Sequence, residues 1–106
     1  MEYGTKIVDG VKIPTRKETM VDFNMLEVEA GTNGYQGGDT GHGGRTYFRI
    51  VDGGCTDMTV NRYFDRYGDS VGFEVFLGGD AELRTMIDAL KFIVQTLEEQ
   101  IHDGMD

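Results

Sequence analysis

The chain has no tryptophan, one proline (Pro14) and one cysteine (Cys55) among its 106 residues. A single cysteine excludes an internal disulfide, favours a reducing compartment and so points to the cytoplasm. Cys55 sits in a turn-like Gly53-Gly54-Cys55-Thr56-Asp57 run with no flanking Lys or Arg to lower its pKa, which reads as a spectator thiol. No apolar run approaches the roughly 20 residues of a membrane-spanning helix. Met1 to Gly10 is too polar and charged for a signal peptide, so no membrane role is expected. Positive charge is scarce: 10 Lys and Arg stand against 19 Asp and Glu, a net charge of −9. Duplex nucleic acid needs clustered cations to neutralise its phosphates, and direct binding to it is therefore not expected. Cysteine pairs, a second His near His42 and the glycine-lysine phosphate-loop pattern are also missing. No cofactor and no metal site are expected.

What is abundant is glycine, with 16 residues. Residues 1–106 read as a single α+β domain: a two-layer fold with a mostly antiparallel β-sheet and one long C-terminal amphipathic helix. Lys6 to Ile13 reads as a hairpin turning at Asp9-Gly10, a strong two-residue turn signal. Pro14 is expected to end it, with a polar connection over Thr15 to Thr19. From Met20 to Leu77 the pattern is a β-meander. Leu26, Val28 and Ala30 alternate with Glu27 and Glu29, while Val21, Phe23 and Met25 hold the opposite phase, so a bulge or a break is expected between them. Phe48 and Ile50, Met58 and Val60, then Val71, Phe73, Val75 and Leu77 mark the inward positions of three further strands. Asp80 reads as the helix N-cap. Leu83, Met86, Ile87, Leu90, Val94, Leu97 and Ile101 form the stripe expected to cover the sheet from about Ala81 to His102, with Gly104 as terminator. A stripe this wide on a helix longer than the sheet beneath it predicts a second surface to bury it, hence a homo-oligomer. The opposite sheet face would carry Glu27, Glu29, Arg45, Tyr47, Arg49, Asn61, Tyr63 and Phe76, a mixture that suits a docking surface.

The segment 31–44 holds seven glycines, too many for regular structure. Loops of this length are uncommon unless functional or disordered. Glycine lets backbone amides approach a ligand and form a nest for an anion. Thr40, Arg45 and Thr46 add hydroxyl and guanidinium donors, His42 a further donor, and Tyr35 and Tyr47 rings that stack on a base. With Gly43, Gly44 and Arg49 these residues make up the candidate site for a small anionic, nucleotide-like ligand. A strand follows the loop, so the helix-terminus phosphate site of dinucleotide folds is not available.

Catalysis is not the expectation. Asp39, Thr40 and His42 are neighbours in sequence, which does not supply the geometry of a nucleophile and its base. Glu27 and Glu29 share a strand face but read as a solvated edge. His102 stands where a cation suits the helix dipole, and Glu98, Glu99 and Asp103 there oppose it. Those carboxylates form an acidic patch fit for a basic partner.

The runs Glu29-Ala30-Gly31-Thr32, Gly34-Tyr35 and Gly37 to Tyr47, with Gly78-Gly79-Asp80 before the helix, resemble a segment of small bacteriophage and prophage proteins of unassigned function. The likeness extends from about Leu26 to Leu97. It implies an accessory protein acting inside a bacterial cell, where proteins of this class counter host defence. One route is sequestering a cyclic or signalling nucleotide in a pocket between subunits. The other is an acidic, nucleic-acid-mimicking inhibitor, anti-CRISPR-like, that blocks a host nuclease or another nucleic-acid-binding enzyme.

Overall fold

The computed structural model describes residues 1–38 and 42–104. Six strands precede one helix: β1 (Glu2–Val8), β2 (Val11–Val21), β3 (Met25–Thr32), β4 (Thr46–Gly54), β5 (Met58–Phe64), β6 (Ser70–Leu77) and α1 (Asp80–Gly104). The fold is α+β with antiparallel pairing throughout the described residues, and the strands form two sheets. One has the order β1-β2-β3-β4; the other is the β5-β6 hairpin. Asp9 and Gly10 both take positive φ, +49° and +80°, the geometry of a tight turn whose twist matches its strands.

The first hairpin is longer than its sequence suggests. Pro14 does not end it: β2 continues through Thr15–Thr19 to Val21 and pairs with β1 and β3. A proline is tolerated there because the β2–β3 ladder begins only at Thr15 opposite Gly31. The carbonyl of Pro14 instead accepts from the Gln100 side chain. The two phases between Met20 and Ala30 are resolved by a break, with a turn over Asp22–Asn24, and by a register shift at Met25/Leu26 against β4.

The main core is small. Leu26, Val28 and Ala30 of β3 pack against Met86, Ala89 and Ile93 of α1, with Met20, Ile50, Met58, Leu77, Phe92 and Leu97 around them. Burial of a side chain the size of Met86 or Ile93 stabilises by about 1.5–3 kcal/mol. Helix and sheet approach closely because two of the opposed residues, Ala30 and Ala89, are alanines, both fully buried.

The helix is rotated from the expected stripe. The residues turned to the sheet are Ala81, Glu82, Thr85, Met86, Ala89, Ile93, Thr96 and Gln100. Leu83, Ile87, Leu90 and Val94 face outward. Polar anchors on the buried side fix this rotation. Glu82 accepts from the amide of Asp57 (3.0 Å). The Thr85 hydroxyl accepts from the buried Asn24 amide (3.0 Å). Gln100 accepts from the amide of Thr32 (2.8 Å). Rolling the bulkier row inward would leave these buried groups without partners, at about 1–3 kcal/mol for each one. The N-terminus also differs: Leu83 N bonds to Gly79 O, so Asp80 is the first helical residue and not the cap.

The helix lies over β3 and β2, and of the other strand positions expected in the core only Ile50, Met58 and Leu77 reach it. Phe48, Val60, Val71, Phe73 and Val75 are all exposed. The β5–β6 arm packs through Met58 and Leu77 at its base, and farther out the Phe73 ring meets Phe48 with centroids 6.4 Å apart. The molecule is flat, 42 × 40 × 17 Å.

Candidate functional site

The loop after β3 is built on a closed base. Asn33 N donates to Arg45 O (3.3 Å), and Arg45 N donates to Asn33 Oδ1 (2.7 Å). The Thr32 hydroxyl donates to Arg45 O (2.9 Å), lies 3.0 Å from the Thr46 hydroxyl and accepts from Gly34 N (3.1 Å). Gln36 Nε2 donates to Asn33 O (2.6 Å). The geometry calls for glycine at Gly34 and Gly44, among others. Gly34 has φ +79°, and a Cβ on Gly44 would stand 2.1 Å from Gly34 O, so the two arms of the loop cross backbone to backbone.

The helix supplies the other wall. Gln100 takes the Thr32 amide, which pins the last turns of α1 to the loop base. Between them lies a groove of about 530 Å³, lined by Thr32, Gly34–Gly38, Gly44 and Thr46 on one side and by Leu97 and Ile101 on the other. That volume is within the range of small-molecule sites, about 300–1,000 Å³. Tyr35 stands at its rim, 78 % exposed. Among the described residues, no Lys or Arg lines it.

Of the residues singled out in the sequence, Tyr35, Gly44 and Thr46 meet in this groove. Asp39 and Thr40 lie outside the described residues, as do the side chains of His102 and Asp103. His42 is exposed in the turn before β4, beside Gly43. Arg45 is turned back on its own chain: Nη1 donates to Gly43 O (2.7 Å) and Nε is 3.9 Å from the Asp9 carboxylate. Strand alternation sends Tyr47 and Arg49 to the face away from the helix. There the Lys6 ammonium sits 4.9 Å from the Tyr47 ring centre. Arg49 borders a second cleft, of about 280 Å³, with Lys17, Glu18, Thr19, Glu27 and the first residues of the chain.

That second face centres on Glu29, a carboxylate only 6 % exposed. Its Oε2 accepts from the Thr15 hydroxyl (2.7 Å) and its Oε1 from Arg49 Nε (3.0 Å). Burial alone would push the Glu29 carboxyl up. The Thr15 hydroxyl and the Arg49 guanidinium outweigh it and hold the group below its ordinary value. The same hydrogen bond, donated by Arg49 to Glu29, raises Arg49. With both carboxylate oxygens engaged, Glu29 is built as a structural ion pair that ties β2, β3 and β4 together.

Thr32, Asn33, Gln36, Leu97, Gln100 and Ile101 shape the groove and were not singled out as site residues in the sequence. Leu97 and Ile101 read there as core positions of a stripe. Among the described residues, no three His, Cys, Asp or Glu side chains gather to hold a metal ion, and no helix is long and apolar enough to cross a membrane. The chain matches no family model, no curated protein and no solved structure.

Proposed function

We propose that this chain is a non-enzymatic binding protein of the phage accessory kind, acting in the bacterial cytoplasm. Its loop groove holds a small anionic ligand with a flat ring, a cyclic or signalling nucleotide of host defence. The observation that carries this reading is the groove itself. It joins an exposed Tyr35 ring, an apolar wall of Leu97 and Ile101, the Thr46 hydroxyl and a run of glycine backbone in about 530 Å³. In this reading a base stacks on Tyr35 against the apolar wall, and the charged end is left to the glycine backbone of 37–38 and the Thr46 hydroxyl, since the Thr32 and Gly34 amides are already engaged. Such donors hold phosphate without a guanidinium when several amides converge. Arg45, in this reading, shapes the loop through Gly43 and Asp9.

The test is native mass spectrometry of the chain with a panel of linear and cyclic nucleotides, followed by titration of Tyr35→Ala. A bound nucleotide mass is expected. Loss of one base–aromatic stack, worth about 1–3 kcal/mol, should weaken binding by roughly fivefold to more than a hundredfold while the fold is kept. A ligand-free spectrum across the panel refutes the reading. That outcome would transfer weight to an acidic protein-binding inhibitor, for which the net charge of −9 is the supporting observation.

A further inference from the structure

The helix carries a second apolar face that its own chain does not cover. Leu83, Ile87, Leu90 and Val94 are 59, 42, 50 and 54 % exposed. Leu97 and Ile101 continue the row, half-buried beside the loop groove. Steps along these six residues alternate four and three, the spacing of a coiled-coil seam. Ile87, Val94 and Ile101 occupy one set of seam positions and Leu83, Leu90 and Leu97 the other. β-Branched residues at the first set with Leu at the second is the composition that selects two strands in parallel coiled coils. No charged residue interrupts the row. Arg84, Lys91 and Glu98 flank it with both signs.

The chain's surface area says how much is left to cover. A folded monomer of 11.8 kDa has about 5,900 Å² of accessible surface, whereas this chain has 7212 Å². The excess is about 1,300 Å² per chain, or about 2,600 Å² for two, inside the range of obligate homodimer interfaces. The radius of gyration, 15.3 Å, likewise exceeds the roughly 13 Å of a compact chain of this length. Helix residues are not its sole source. Phe48 lies on the helix side of the sheet, opposite the buried Ala30, and with Phe73 of the arm adds exposed aromatic surface.

We propose that a second copy of this chain covers this face, helix against helix along the Leu83–Ile101 row, to form a homodimer. A two-fold interface must present one patch to itself, and a continuous apolar row without buried charge satisfies that requirement. Because Leu97 and Ile101 belong to both the row and the groove, the second copy also walls the helix end of the groove. The dimer stands whether or not a nucleotide is the ligand.

Light scattering on a sizing column tests it, read beside far-ultraviolet circular dichroism. The wild-type chain is expected at twice 11.8 kDa. Leu90→Lys with Val94→Lys is expected at the single-chain mass with an unchanged helical signal, since both residues lie outside the protomer's own core. Asp88→Ala, one position off the row, should stay dimeric. A wild-type chain that remains monomeric throughout a concentration series overturns the proposal and assigns the row to a different partner. A dimer that survives the double substitution overturns it as well, and so does a double variant that loses its helix, which would place the row inside the protomer.

Discussion

Gln100 is the side chain on which the helix, the sheet and the loop converge, and Gln100→Leu is the most direct challenge to the account of the groove. The substitution keeps the size of the side chain and removes its polar end. The amide of Thr32, on a residue 5 % exposed, then loses the 2.8 Å acceptor that Gln100 provides. A buried donor left without a partner costs about 1–3 kcal/mol. The second bond, from Gln100 Nε2 to Pro14 O, is long at 3.4 Å and adds little. Taking ~2 kcal/mol, and about 4–8 °C per kcal/mol for a domain of this size, the unfolding midpoint should fall by roughly 8–16 °C. Chain concentration is held fixed, because association shifts an apparent midpoint. Glu99→Gln is the control: its bond to Arg16 faces solvent, and its loss should barely register. Amide hydrogen exchange supplies the local readout, since Thr32 should lose protection in Gln100→Leu and keep it in Glu99→Gln. An unchanged midpoint with Thr32 still protected would refute the claim that this side chain pins the helix to the loop base.

Two further perturbations probe the scaffold. Glu29→Gln should destabilise the chain by about 2 kcal/mol at neutral pH, the scale of a hydrogen bond to a charged group. The folded carboxyl is held below its ordinary value near 4.5, so its contribution is present above that value and is lost as pH falls through the lower folded one. Urea midpoints of the two proteins should therefore converge on acidification, and a pH-independent gap would contradict the ion-pair assignment. Gly31→Ala should destabilise by at least about 1–3 kcal/mol, because its Cβ would fall 2.1 Å from Pro14 O; a urea curve matching the parent would show that β2 and β3 do not approach so closely.

Much of the architecture was legible in the sequence for a simple reason: strands with one buried face announce themselves by alternation. Leu26-Glu27-Val28 did so, and Asp9-Gly10 marked its turn, whereas Phe48-Arg49-Ile50 alternates without a fully buried face, since Phe48 stays exposed. The run Thr15 to Thr19 did not, because the buried partners of that part of β2 are polar. Thr15 is covered through its bond to Glu29, not through apolar contact. For the site, alternation already placed Tyr47 and Arg49 on the face opposite Thr46, but nearness to the loop in sequence drew them into one set. The groove's second wall was out of reach of any local pattern, since Leu97 and Ile101 lie more than fifty residues from the loop they face.

The rotation of the helix links these points. Apolar periodicity selects the face with the largest side chains, and by area alone Leu83, Ile87, Leu90 and Val94 would gain more from burial than Ala81, Thr85, Ala89 and Thr96 do. The two sets are centred about 165° apart on the helix at 100° per residue, so a roll of nearly half a turn would be needed to bring the outer row inward. It is opposed by Glu82, Thr85 and Gln100, whose bonds to Asp57, Asn24 and Thr32 exist in one orientation. Taken alone, then, the protomer is held with its poorer apolar face inward. The arrangement becomes favourable on both counts once another surface covers the outer row, because the polar anchors and the apolar burial are then satisfied together. Leu97 and Ile101 belong to both the row and the groove, so the proposed second copy, seated on the row, would touch the groove, and slower exchange of the Gly34 and Thr32 amides as chain concentration rises is the result expected of it.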